Sequence, residues 1–336
     1  MARSPGTAMT ATGLREALDA LFVVPPEHRW GDVGRAEARA LLSCDEPTLS
    51  ALVRHGLPTS GHPDGDRFDS RDLFNLGLHS VGHDTVVART FALALRWMRA
   101  GTDRLVAGRP ARLDVNLSCG GPQECGAGAR SHITRPRPEV YGGSVESLHM
   151  CHRPGGEQPA GTPPPGLRMT ARLRLTGQLA PLRSAAARDA VRHFLDVGLR
   201  WVKLPGPLQA DVRLARSHGI ASCASASLHL AHLLQSAGLD ATTRVGWVIG
   251  LEMEHAWVEV VDTDGETKLL DPVFALFAGM LPGANPAFRD ADHALRTNRL
   301  VPTALPAGAA LAVHSCDGPP ATPRVAVTTS FEKERT

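Results

Sequence analysis

The chain has 336 residues, 43% of them hydrophobic and 21% charged, with a formal net charge of +2. That composition is ordinary for a folded globular protein, and the small charge excludes a global electrostatic drive towards nucleic acid or membrane. Residues 1–13 lack the apolar run of a secretory signal and no stretch reaches membrane-spanning length, so a cytoplasmic protein with reduced thiols is expected.

In chain order, residues 1–108 read as a helical N-terminal module. Residues 13–21 and 35–42 have helical apolar spacing, and 85–99 forms a longer pattern through Val86, Phe91, Leu95 and Met98. Residues 109–180 change texture. Apolar residues alternate over 111–117 and 169–179, which predicts strands, and between them lies a Gly- and Pro-rich stretch at 153–166 that predicts an exposed, mobile loop. Residues 181–336 are the most regular. Helices are predicted over 185–197 and 222–237, the second closed by Gly238, followed by strands over 242–250, 255–262 and 267–270. Turn chemistry at 262–265 makes the last two strands an antiparallel hairpin. The expected fold is α+β.

Chemistry concentrates in this last region. Cys223 stands in the first turn of its predicted helix, where the positive end of the dipole favours a thiolate and backbone N–H groups are placed to stabilise an oxyanion. His255 opens the next-but-one strand and Asp271 follows the strand after it. The predicted hairpin therefore brings an imidazole and a carboxylate to one end of a sheet that must pack on the Cys223 helix. Each residue has a bland reading: a buried small thiol, a strand-end histidine, an aspartate that starts a turn before Pro272. The alternative to an enzyme is a non-catalytic binding or DNA-binding regulatory protein with a degenerate domain of this type. His229 and His232, three apart on the same helix, read as structural rather than metal-binding.

Five blocks in order resemble the transglutaminase-like superfamily, relatives of papain-type cysteine proteases, over about residues 181–280. They are Gly219-Ile220-Ala221-Ser222-Cys223, the segment from Leu233 to Leu239, Arg244-Val245-Gly246, His255-Ala256-Trp257-Val258-Glu259-Val260 and Leu270-Asp271-Pro272. The resemblance implies Cys223 as nucleophile, His255 as general base and acid, and Asp271 as its orienting carboxylate. It also implies an oxyanion hole, for which the Cys223 backbone and Trp201 are candidates. Ala221 and Ser222 depart from the larger residue usual before the cysteine. The implied activity is acyl transfer on an amide or thioester, with no cofactor expected; unlike calcium-dependent relatives, the sequence shows no carboxylate-rich calcium loop.

Two other features stand apart. Cys119, Cys125, Cys151 and His152 could build a zinc site, although the wide Cys119–Cys125 spacing argues for reduced, non-ligating thiols. Residues 36–78 resemble a MerR- or excisionase-type winged helix-turn-helix, but the helix over 46–55 begins with acid and offers only Arg54 as a firm cation. DNA is therefore not the expected partner, and docking of a peptide or protein is.

Overall fold

The computed structural model describes residues 5–63, 65–118, 132–134, 137–153, 166–315 and 324–332. The fold is α+β, with antiparallel four-stranded sheets. The chain divides into two compact units, Met1–Trp97 with Leu199–Ser222, and Met98–Gly198 with Cys223–Thr336. The 153–166 stretch read as a loop lies almost entirely outside the described residues. Among the described residues no helix is long and apolar enough to cross a membrane.

The first unit is built on short helices. Arg35–Leu42 forms as its apolar spacing predicts, and Glu46–Arg54 forms where the resemblance placed a helix, started by Asp45, whose carboxylate accepts from Thr48 N–H. Val33–Gly34 pairs with Arg67–Phe68, and Ser60 bridges Arg67, before the helix Ser70–Leu78. The strand that pairs with Arg67–Phe68 thus precedes both helices, and only the Ser60–Arg67 bridge stands where a hairpin after the second helix was expected. Its core comprises Leu14, Leu42, Leu49, Phe68, Leu73 and Leu76. Arg35 and Arg39 both pair with Glu46, so the acid at the helix start takes up the cations beside it.

Residues 199–222 join this unit through paired polar contacts. Asn75 donates to the Lys203 carbonyl at 3.0 Å and accepts from its N–H at 2.7 Å. His79 Nε2 lies 2.8 Å from the Trp201 carbonyl. The Trp201 ring stacks on Phe91 at 5.6 Å and meets Phe74 edge-on at 6.1 Å. The pattern at 85–99 becomes a helix, Val86–Ala94, and then a tighter turn, Arg96–Arg99. Leu95 and Met98 are buried as expected, while Val86 and Leu93 are exposed.

The second unit stacks two antiparallel sheets. In one, Arg109–Ser118 lies between Arg324–Phe331 and Gly166–Leu175, with Gly143–Arg153 at the edge. The alternation seen over 169–179 is split between Gly166–Leu175 and Gln178–Pro181. In the other, Leu251–Val261 pairs with Ala241–Val248 on one side and Thr267–Leu270 on the other. Leu113, Val115, Met169 and Leu173 pack with Val245, Trp247, Ile249 and Val301 to form the core of this unit.

The predicted 262–265 hairpin is present, closed by Asp262 N–H to the Glu266 carbonyl. The strand through His255 begins four residues earlier than its pattern suggests, at Leu251, because it turns directly out of its partner at Gly250. The helix Cys223–Ser236 packs on these strands and buries Ala226, Leu230 and Leu234.

Candidate active site

Cys223 is the first residue of the helix Cys223–Ser236 and is half-buried, so its sulfur lies at the positive end of the helix. Ala224, Ala256 and Ala307 surround it with small side chains, which lets the helix start approach the strand that carries His255. His255 is 1% exposed. Its Nε2 lies 2.7 Å from Asp271 Oδ2. Nδ1 is buried without a hydrogen-bond partner, and Cys223 is the second group that acts on the ring.

Asp271 is held more firmly than a residue at the end of a strand. It caps the helix Pro272–Met280, which the sequence reading missed, and its Oδ1 accepts from Val273 and Phe274 N–H at 3.1 and 2.9 Å. One carboxylate oxygen is thus fixed to the helix start while the other faces the imidazole. The Asp-Pro pair signals this cap: Pro at the first helical position lacks the N–H that has no partner there anyway. The same helix supplies Phe274, whose ring stacks on His255 at 4.6 Å between centroids and 17° between planes. Trp257, two residues along the His255 strand, meets the imidazole at 5.9 Å and 34°.

The electrostatics of the ring follow from these neighbours. Burial is the largest influence and opposes charge on His255. The negative charge and hydrogen bond of Asp271, followed by those of Cys223, outweigh it and push the imidazole up to about 10. At neutral pH the ring therefore holds a proton between a carboxylate and a sulfur. That arrangement can stabilise a thiolate and deliver a proton to a departing group.

Of the residues picked from sequence, Cys223, His255 and Asp271 come together in the second unit. Trp201 belongs to the first unit, where its 3% exposed ring is packed against Phe74 and Phe91. His229 is buried near Phe194 and His232 is exposed, so the two do not form a pair. Cys119 and Cys125 lie outside the described residues, the His152 side chain is likewise not described, and Cys151 is exposed on an edge strand. Among the described residues no group of three or more His, Cys, Asp or Glu is placed to hold a metal ion. A small pocket opens beside Asp271, lined by Phe194, Leu230, Pro272 and Phe288, and Cys223 is not part of its wall.

The sequence reading also missed Tyr141, which lies against Trp257. No local signal marks it, because its partners are more than a hundred residues away.

No family model matches this sequence, and no curated protein matches it. Among solved structures, the chain is similar to a provisionally assigned cysteine protease from Cytophaga hutchinsonii at 9% identity and a TM-score of 0.40, over 68% of this chain and 93% of that one. The likeness is loose at that level, and the side-chain geometry stands by itself.

Proposed function

We propose that this chain is a cysteine-dependent acyl-transfer enzyme in which Cys223 is the nucleophile, His255 its acid and base, and Asp271 the orienting carboxylate. The observation that carries this reading is the fully buried imidazole bonded at Nε2 to Asp271, with the half-buried Cys223 at a helix start as its other partner. A structural histidine in an apolar site is ordinarily kept neutral by burial; here two acidic neighbours hold it charged.

In the proposed reaction the Cys223 thiolate attacks the carbonyl carbon of an amide or thioester. Backbone N–H groups in the first turn of its helix stabilise the oxyanion. When the tetrahedral intermediate collapses, His255 passes its proton to the leaving nitrogen or sulfur, and a thioester to Cys223 remains. Water or an amine then attacks that thioester, and His255 takes the attacker's proton as the thiolate leaves. Water makes the enzyme a peptidase or amidase, an amine makes it an acyltransferase, and the acyl donor is a peptide or a small molecule. We assign the N-terminal module to docking of a peptide or protein rather than DNA, because Arg35 and Arg39 are already paired with Glu46.

The test is single-turnover acylation by an activated aryl ester, followed by intact mass and peptide mapping. The expected result is one hydroxylamine-labile acyl group on Cys223, absent in Cys223→Ala and strongly reduced in His255→Ala. A parent protein that never acylates at Cys223 would overturn the reading.

A further inference from the structure

The chain has a single tyrosine, and it reaches the candidate site from a segment with no other part in the proposed chemistry. Tyr141 stands just before the edge strand Gly143–Arg153, and the two glycines after it fix its place. A Cβ on Gly142 would fall 2.3 Å from Thr176 Oγ1, and one on Gly143 would fall 1.9 Å from the Arg174 carbonyl oxygen. Gly143 also takes φ +95°, which side-chain-bearing residues rarely adopt. Tyr-Gly-Gly thus lets the chain run tight against its neighbour and places the phenol.

The phenol joins two groups that cannot bond each other. Trp257 is fully buried, and its indole Nε1–H, a donor only, donates to Tyr141 Oη. Tyr141 donates its own proton to Glu259 Oε1 at 2.5 Å, and Glu259 Oε2 accepts from Arg244 Nε at 3.0 Å. The direction of every bond is set by chemistry: the guanidinium and the indole can only donate, and the carboxylate between arginine and phenol accepts from both. Only a group that donates and accepts at one atom can stand between Trp257 and Glu259. Burial and the Glu259 carboxylate drive the phenol's pKa far upwards, so it keeps the proton it needs.

This chain of bonds ends at the indole, whose ring meets the imidazole at 5.9 Å. His255, Trp257 and Glu259 alternate along one strand and share a face of the sheet. Gly246 and Arg244 stand opposite His255 and Trp257 in register. A Cβ on Gly246 would lie 2.9 Å from the Trp257 ring and 2.1 Å from the Val301 carbonyl oxygen, so the absent side chain leaves room for the indole. The Arg-Val-Gly and Trp-Val-Glu strings are thereby two halves of one support.

We infer that Tyr141 is a positioning residue of the candidate active site, holding Trp257 against His255 through a relay anchored on Glu259 and Arg244. This rests on the proposed roles of Cys223 and His255. Without the phenol, the buried indole N–H and one Glu259 oxygen lose their partners, and Trp257 is no longer fixed beside the imidazole. The ring is then less firmly held in its orientation beside Cys223.

The test uses the full chain and iodoacetamide as probe, with alkylation of Cys223 and Cys44 followed by peptide mass spectrometry from pH 6 to 10.5. Tyr141→Phe is expected to slow Cys223 labelling at pH 7 by roughly tenfold, the cost of a modest misplacement of the base. The gap should shrink towards pH 10, where His255 loses its proton in the parent as well. Cys44, in the other unit, should be unaffected. A purely structural role would leave this pH profile unmoved.

An unchanged Cys223 profile in Tyr141→Phe, with His255→Ala still slowing Cys223, overturns the inference and leaves the proposed function standing. A Cys223 rate indifferent to His255→Ala removes both. Should Tyr141→Phe not fold, Glu259→Gln decides on the same readout: slower Cys223 labelling supports the relay, and an unchanged profile overturns it.

Discussion

Cys44 and Cys223 are both half-buried cysteines next to a helix end. Cys44 follows the last turn of Arg35–Leu42, past Ser43 in the left-handed region at φ 51°, and so faces the negative end of its helix. Burial first, and then the charge of Asp45, push its thiol up to about 11. Cys223 opens its helix instead, and the neighbouring charged group is an imidazole that Asp271 helps hold protonated. Burial alone makes a cysteine inert. A nucleophile needs the sign of the helix end and of the nearest charge to agree, and in this chain they agree only at Cys223 among these two.

The largest expected effect would erase that contrast. Replacing His255 with Ala should lower Cys223 alkylation at pH 7 by about a hundredfold, within the usual worth of a general base, and leave Cys44 unchanged. Rates at the two cysteines in one sample measure it directly.

Asp271→Asn should come next. Asn keeps the helix cap but removes the charge, so Cys223 labelling should fall by roughly tenfold with little change in stability, whereas Asp271→Ala should also cost about 1 kcal/mol in a denaturant titration.

A third prediction concerns pH and stability. His255 is raised in the folded state from 6.5 to about 10, so its contribution is fully present below pH 6.5 and is lost as pH rises through 10. The parent should therefore lose stability over that window more steeply than His255→Gln, as read from urea midpoints at successive pH values.

Asp72 in the first unit sharpens the comparison from the opposite side. It is 1% exposed, its Oδ1 accepts from Val24 N–H at 2.9 Å, and Oδ2 makes no hydrogen bond, only a long ion pair with Arg29 Nε at 4.0 Å. Burial raises its carboxyl from 3.8 to about 6. Its charge therefore works against folding above that pH, and the stability tied to its proton is lost as pH rises from 3.8 through 6. Asp72→Asn, which keeps the acceptor for Val24, should stabilise the protein by about 1–3 kcal/mol at pH 7 and by little at pH 4.

The smallest effect is at Cys44 itself. Asp45→Asn retains the cap to Thr48 and should raise Cys44 labelling by no more than about threefold, since burial outweighs the Asp45 charge.

Local patterns made much of this legible. Apolar spacing fixed the helix at 35–42, alternation fixed the strand through Leu113 and Val115, and turn chemistry at Asp262 and Gly265 fixed the hairpin after the His255 strand. The order of Cys, His and Asp blocks singled out the residues that meet. Trp201 and the stretch at 199–222 were less readable, because residues that pack with Asn75 and His79 carry no mark of it in their own spacing.

By itself, then, the sequence determined the helix that starts at Cys223, the strands around His255 and the carboxylate that follows them, since each depends on neighbours within a few positions. The tertiary structure alone decided that Phe274 stacks on the imidazole and that Tyr141 supports Trp257. Those outcomes depend on how the buried polar groups of distant segments satisfy one another. That pairing leaves no periodic trace along the chain and is settled only when water is excluded and every buried donor must find an acceptor.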